Sequence, residues 1–173
     1  MSDRPAESQF KFAAQLLQGL DADDLADETL KLENQLCFAL YASSRAITQR
    51  YREYLQPLGL TYPQYLVMMV LWERQRGNAA IGVKALGEKL YLDSGTLTPL
   101  LKRLETTGLL LRQRSSKDER LVEIQLTEAG LMLKERAANI PLHLLCELDQ
   151  PLEKLLQLKS DLRSLLETLQ ENR

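Results

Sequence analysis

The strongest constraint in this chain is a change of hydrophobic period at Gly108. Before it, Leu97, Leu100, Leu101 and Leu104 recur at i, i+3, i+4 and i+7. That spacing is one face of a helix, opened by Asp93 or Ser94, either of which is a good N-cap, and closed by Gly108. After it, Leu109–Arg114 and Leu121–Leu126 alternate apolar and polar residues. The turn-prone, charged stretch Ser115–Glu119 separates them, which predicts a β-hairpin. A shorter helix over about Gly82–Leu90, with Val83, Leu86 and Leu90 on one side, precedes this unit.

Longer helices flank it. Apolar positions from Leu32 through Leu55 follow helical spacing until Pro57 and Gly59. A second helix starts at Thr61–Pro63 and runs to about Arg76, where Gly77 and Asn78 end it. Thr127-Glu-Ala-Gly130 opens another helix, interrupted by Pro141, and a last one covers about Leu152–Leu169. The expected fold is mainly α with a small β-hairpin wing: a winged helix-turn-helix with long N- and C-terminal dimerisation helices. Residues 1–28 read as an extension, 29–60 and 127–173 as the helical dimerisation region, and 61–126 as the winged helix-turn-helix. The flanking helices carry more apolar surface than one small domain covers, so a twofold homodimer is expected.

With 45% hydrophobic and 27% charged residues the composition is that of a folded globular chain. The net charge of −2 excludes a uniformly basic nucleic-acid binder, so any DNA-binding role must rest on local charge. Met1–Glu7 is polar, the segment Phe10–Leu20 is broken by Lys11, Gln15 and Gln18, and the apolar run Tyr65–Trp72 is too short for a bilayer. Neither a signal peptide nor a membrane partner is expected. A cytoplasmic chain with two cysteines keeps them as thiols.

Local charge is found where the period changes. Opposite the leucine face, the Asp93–Gly108 helix presents Ser94, Thr96 and Thr98, followed by Lys102 and Arg103. Small hydroxyl residues suit base edges in a major groove, and adjacent cations suit phosphates. The hairpin adds Arg112, Arg114, Lys117 and Arg120. In Asp118-Glu-Arg120 a carboxylate two residues before an arginine can orient the guanidinium into a narrow minor groove. A charged helix face and hairpin tip also suit a protein-binding winged helix, and on periodicity both readings stand. Pro99 removes one hydrogen bond from this helix wherever it begins.

Leu86-Gly-Glu-Lys-Leu90, the run Asp93 to Glu105, Gly108, Asp118-Glu-Arg120 and Leu126-Thr-Glu-Ala-Gly130 together resemble the MarR family, over about Leu32–Leu169. The resemblance implies a dimeric repressor of double-stranded operator DNA, with Asp118 and Arg120 at the wing tip.

Cys37 lies in the first turns of the opening helix, where free backbone amides favour a thiolate. The alternative is a thiol that fills an apolar stripe. Tyr51 follows by fourteen residues, close to four turns, so it faces the same side but about 21 Å along the helix. Its phenol cannot reach its own Cys37, yet can reach a partner's if the helices cross antiparallel. Tyr62, beyond the turn, is placed to do the same. The stretch Leu32-Glu-Asn-Gln-Leu-Cys-Phe-Ala-Leu-Tyr41, with Tyr51 and Tyr62, resembles the organic-hydroperoxide-sensing branch of that family (OhrR). The resemblance implies that an organic hydroperoxide oxidises Cys37 to sulfenic acid and releases the operator. It also implies, as in its two-cysteine members, a resolving thiol, for which Cys146 is the candidate; the other reading of Cys146 is a core residue between Leu145 and Leu148.

Two rival functions remain open at this level: a MarR-type repressor induced by a reversible aromatic ligand, and a thiol peroxidase. No glycine-rich phosphate loop, nucleophile elbow or zinc spacing is present, so neither cofactor nor metal is expected. His143, the single histidine, reads as a structural or surface group.

Overall fold

The computed structural model describes residues 27–74, 80–114 and 121–171. They fall into two compact units divided between Gln49 and Arg50. The expected extension up to residue 26 and the wing tip 115–120 lie outside the described residues.

In the first unit, a 3-10 turn at Leu32–Asn34 precedes helix α1, Leu36–Leu55, whose last stretch, Arg50–Leu55, belongs to the other unit. The helix therefore starts later than its apolar spacing predicts. Lys31 and Gln35 are both extended, with ψ 132° and 115°. The Asn34 amide donates to the Glu28 carbonyl at 2.9 Å, a local alternative to helix of the kind asparagine favours. The consequence is that Cys37 stands in the first turn of α1.

The second unit is built on α2 (Tyr62–Arg74), α3 (Val83–Leu90) and α4 (Ser94–Thr106). Strands β1 (Ile81–Gly82), β2 (Leu110–Arg114) and β3 (Val122–Leu126) form an antiparallel sheet of order β1-β3-β2. Helices α5 (Glu128–Ala137), α6 (Ile140–Glu147) and α7 (Leu152–Glu171) complete it. The hairpin is present as expected, Leu110 facing Leu126 and Arg114 facing Val122. The two-residue strand β1, where Ile81 pairs with Ile124, was not anticipated.

Leu97, Leu101 and Leu104 of α4 are buried, and the core runs through Met68, Leu86, Leu110 and Ile124. Leu133, Ala137 and Ile140 join the same core. By contrast α7 buries nothing, and Leu152, Leu156, Leu162 and Leu166 stay exposed along it. Among the described residues, no helix is long and apolar enough to cross a membrane.

Candidate functional site

Helix α1 ends at Leu55 because a 3-10 turn, Gln56–Leu58, begins there with Pro57 near its start and Gly59 in the left-handed region, φ 70°. The Leu60 amide closes this reversal on the Leu55 carbonyl at 3.1 Å. Helix α2 then opens with a one-sided cap: the Thr61 amide and hydroxyl both donate to the side-chain oxygen of buried Gln64, at 2.8 and 3.1 Å. The reversal lays Tyr62 on Tyr51, ring centroids 4.7 Å apart and planes inclined at 44°. Tyr65 joins at 5.9 Å from Tyr51, and Trp72 meets Tyr65 edge-on at 6.0 Å.

Tyr51 and Tyr62 are half-buried. Burial is the first cause that pushes the Tyr51 phenol up to about 12, with Tyr62 and Tyr65 adding to it, and burial raises Tyr62 as well. Both therefore stay protonated at neutral pH and are available as hydrogen-bond donors. The two phenols singled out in sequence are thus one aromatic pair. Tyr65, three residues after Tyr62, extends it and was missed; the i, i+3 spacing was the available signal.

Cys37 is exposed in the first unit, and Cys146 is exposed on α6 in the second. Cys146 is thus no core residue between its leucine neighbours, and Cys37 is not packed away in an apolar stripe. Tyr41, in the first unit, has a partner of its own: its hydroxyl accepts from Arg45 at 3.1 Å, and that guanidinium lies 5.6 Å from its ring centre. His143 stacks on Tyr54 at 5.9 Å, while the Tyr54 hydroxyl donates to Glu147 and raises the phenol. Arg50 completes this cluster 3.5 Å from Glu147.

The helix expected to meet DNA starts at Ser94. Asp93 is its N-cap, accepting from the Thr96 amide at 2.8 Å and the Thr96 hydroxyl at 3.1 Å, and these bonds hold its carboxyl below the usual range. Thr98 donates back to the Ser94 carbonyl at 2.7 Å. Pro99 falls in the second turn, and the carbonyl it leaves without an amide donor is that of exposed Gly95, open to water. Ser94, Thr96, Lys102 and Arg103 are exposed, with Thr98 half-buried.

Arg112 has a commitment that alternation could not reveal. Its guanidinium meets Glu105 at 2.7 and 2.8 Å, and its amide donates to the other Glu105 oxygen at 3.2 Å. The pair braces α4 against β2. Lys117, Asp118 and Arg120 lie outside the described residues. Among the described residues no group of side chains has the makings of a metal site.

Residues 49–137 match the family described as transcriptional regulator SarA/Rot. Over 142 residues the chain is 56% identical to the organic hydroperoxide resistance transcriptional regulator of Bacillus subtilis, covering 82% of this chain and 94% of that protein. AbfR of Staphylococcus epidermidis is similar in two solved states. Reduced and bound to DNA, it is 35% identical, with TM-score 0.66 over 83% of this chain and 98% of that one. With a disulfide formed it is 34% identical, with TM-score 0.56 over 86% and 97%. Apo MarR of Escherichia coli is 26% identical, with TM-score 0.61 over 76% and 97%.

Proposed function

We propose, since this chain belongs to the MarR family of winged-helix transcriptional regulators and to its organic-hydroperoxide branch, that it is a redox-sensing repressor released from its operator when a hydroperoxide oxidises Cys37. The observation that carries the reading is the Tyr51–Tyr62 pair, two protonated phenols 4.7 Å apart, on a chain whose Cys37 opens the same helix as Tyr51. About 21 Å of helix separates the two on one chain, so the thiol takes its donors from the partner protomer. Donation by both phenols stabilises the thiolate, the reactive form. Its sulfur attacks one peroxide oxygen, the O–O bond breaks, an alcohol leaves, and Cys37 becomes a sulfenic acid. Cys146, exposed on α6, is the resolving thiol: it displaces that oxygen as water and leaves a disulfide between protomers. Oxidant is consumed once per thiol, as a signal and not in turnover.

Residues 61–126 form the DNA-binding part, and 29–60 with 127–173 the dimer, seated on the unburied leucines of α7. The protein acts in the cytoplasm. Two α4 helices enter major grooves about 34–36 Å apart. Thr96 and Thr98 already spend their hydroxyl protons on Asp93 and Ser94. They therefore meet bases as acceptors, which suits the amino groups of adenine and cytosine. Lys102 and Arg103 hold phosphates, Arg112 keeps α4 and β2 in register, and Lys117, Asp118 and Arg120 add further DNA contacts.

The test is release of a duplex selected by the reduced protein from a random pool. Cumene hydroperoxide releases it and dithiothreitol restores binding; release by an unreactive phenol, with no effect of peroxide, contradicts the reading. Replacing Lys102 and Arg103 together by alanine removes two phosphate contacts from each protomer, so it weakens binding across all sequences and lowers the slope of log affinity against log salt by about 4. An unchanged slope removes both from the interface. Replacing Tyr51 and Tyr62 by phenylalanine slows loss of the Cys37 thiol under peroxide by roughly tenfold or more, the worth of a hydrogen bond to a charged group. Equal rates in variant and parent would break the link between the phenols and the sulfur.

A further inference from the structure

The aromatic pair does not end at Tyr62. Tyr65 is in ring contact with Tyr51, and Trp72 with Tyr65. The indole N–H of Trp72, itself buried, donates 2.8 Å to the Gly130 carbonyl in the first turn of α5. Gly130 is pressed on the chain that leaves α4: a Cβ built there falls 2.1 Å from the Leu109 carbonyl oxygen. Thr127, the N-cap of α5, fastens the same two pieces. Its hydroxyl accepts from the Gly130 amide at 3.0 Å and donates to the Gly108 carbonyl at 2.6 Å, while its amide donates to Leu109 at 3.2 Å. Gly108, at φ 73°, is the stop of α4, so the end of the recognition helix and the start of α5 share one hydrogen-bonded knot.

These contacts give no slack. The nearest contact at Gly130 is backbone against backbone, which no side-chain rotation can relieve, and both ends of the Thr127 hydroxyl are engaged. Packed interiors transmit such displacements between discrete arrangements instead of absorbing them. We infer that Thr127 is a positioning residue, and that the Trp72–Gly130–Thr127–Gly108 knot is the joint through which a displacement of the Tyr51–Tyr62 pair reaches the DNA-reading helix. The inference rests on the redox-repressor reading above and specifies how that site governs α4. The joint includes neither Cys37 nor any residue assigned above to DNA contact, so it alters coupling and not chemistry.

Thr127→Val keeps the shape of the side chain and removes both hydroxyl bonds; Thr127→Ser keeps the hydroxyl. For each full-length protein, operator affinity is measured reduced and after cumene hydroperoxide, with trapping of the Cys37 sulfenic acid to match the extent of oxidation. The ratio of reduced to oxidised affinity falls at least fivefold in Thr127→Val, and Thr127→Ser restores it. An unchanged ratio at equal Cys37 oxidation overturns the joint. Should the valine variant not fold, Trp72→Phe opens the knot from the aromatic side and must lower the ratio likewise. A parent protein that keeps its operator after oxidation sinks the repressor reading itself, a result separate from any behaviour of the variants.

Discussion

Cys37→Ser is expected to bind the operator as the reduced parent does and to stay bound at hydroperoxide concentrations that free the parent. The substitution exchanges sulfur for oxygen at an exposed position in the first turn of α1. It removes no core packing, and serine is well tolerated at a helix start. What it removes is the only atom there that can take an oxygen from a peroxide and hold it. A switch between mostly bound and mostly free needs about 5.5 kcal/mol of differential stabilisation. Serine supplies none of it. Measured as the peroxide concentration for half-release, the variant shifts beyond the solubility of the oxidant. Cys146→Ser separates the two steps: it still releases the operator at the sulfenic acid stage, or it loses release and makes the disulfide the signal. A Cys37→Ser protein that lets go of DNA at the parent's peroxide concentration ends the sensor assignment, while DNA binding itself stands.

Several of these positions were readable before any coordinates, for local reasons. The leucines of α4 recur at the period of a helix, Asp93 caps it and Gly108 stops it, and each of these signals acts within a few residues. The hairpin follows from alternation. Other features depend on what lies far away in the chain. Strand β1 has two residues, and only pairing with β3 makes Ile81–Gly82 a strand. The late start of α1 reflects Asn34 reaching back to Glu28, a side-chain choice that apolar spacing does not register. Arg112 looks like a cation on a charged wing until Glu105, seven residues earlier on another element, is seen to hold it. The meeting of Tyr51 and Tyr62 was anticipated only as a shared orientation toward a partner. Their direct ring contact depends on the tight reversal at Pro57–Gly59. Gly130 is the plainest case: in sequence it is one letter of a helix start, and nothing nearby says why it is glycine.

Gly130→Ala is for that reason expected to be the most destabilising single-methyl change in the described part of the chain. A methyl 2.1 Å from the Leu109 carbonyl oxygen has no flexible neighbour to displace, and Leu126 stands at 3.1 Å on another side. Helix α5 must back away from the end of α4 by about an ångström, a displacement of the overpacking kind that costs about 1–3 kcal/mol. That retreat also stretches the bonds from Trp72 to Gly130 and from Thr127 to Gly108, each worth about 1 kcal/mol net. The sum, about 3–5 kcal/mol, corresponds to a fall in melting temperature of about 10 °C for a chain of this size. Gly82→Ala is the contrast: Gly82 is extended at φ −65°, with nothing within 4 Å of a built Cβ, and melting stays within about 2 °C of the parent. Thermal unfolding of the reduced protein measures both. If the two alanine variants melt together, α5 is not locked to the end of α4, and the route from the phenols to the DNA-reading helix must lie elsewhere.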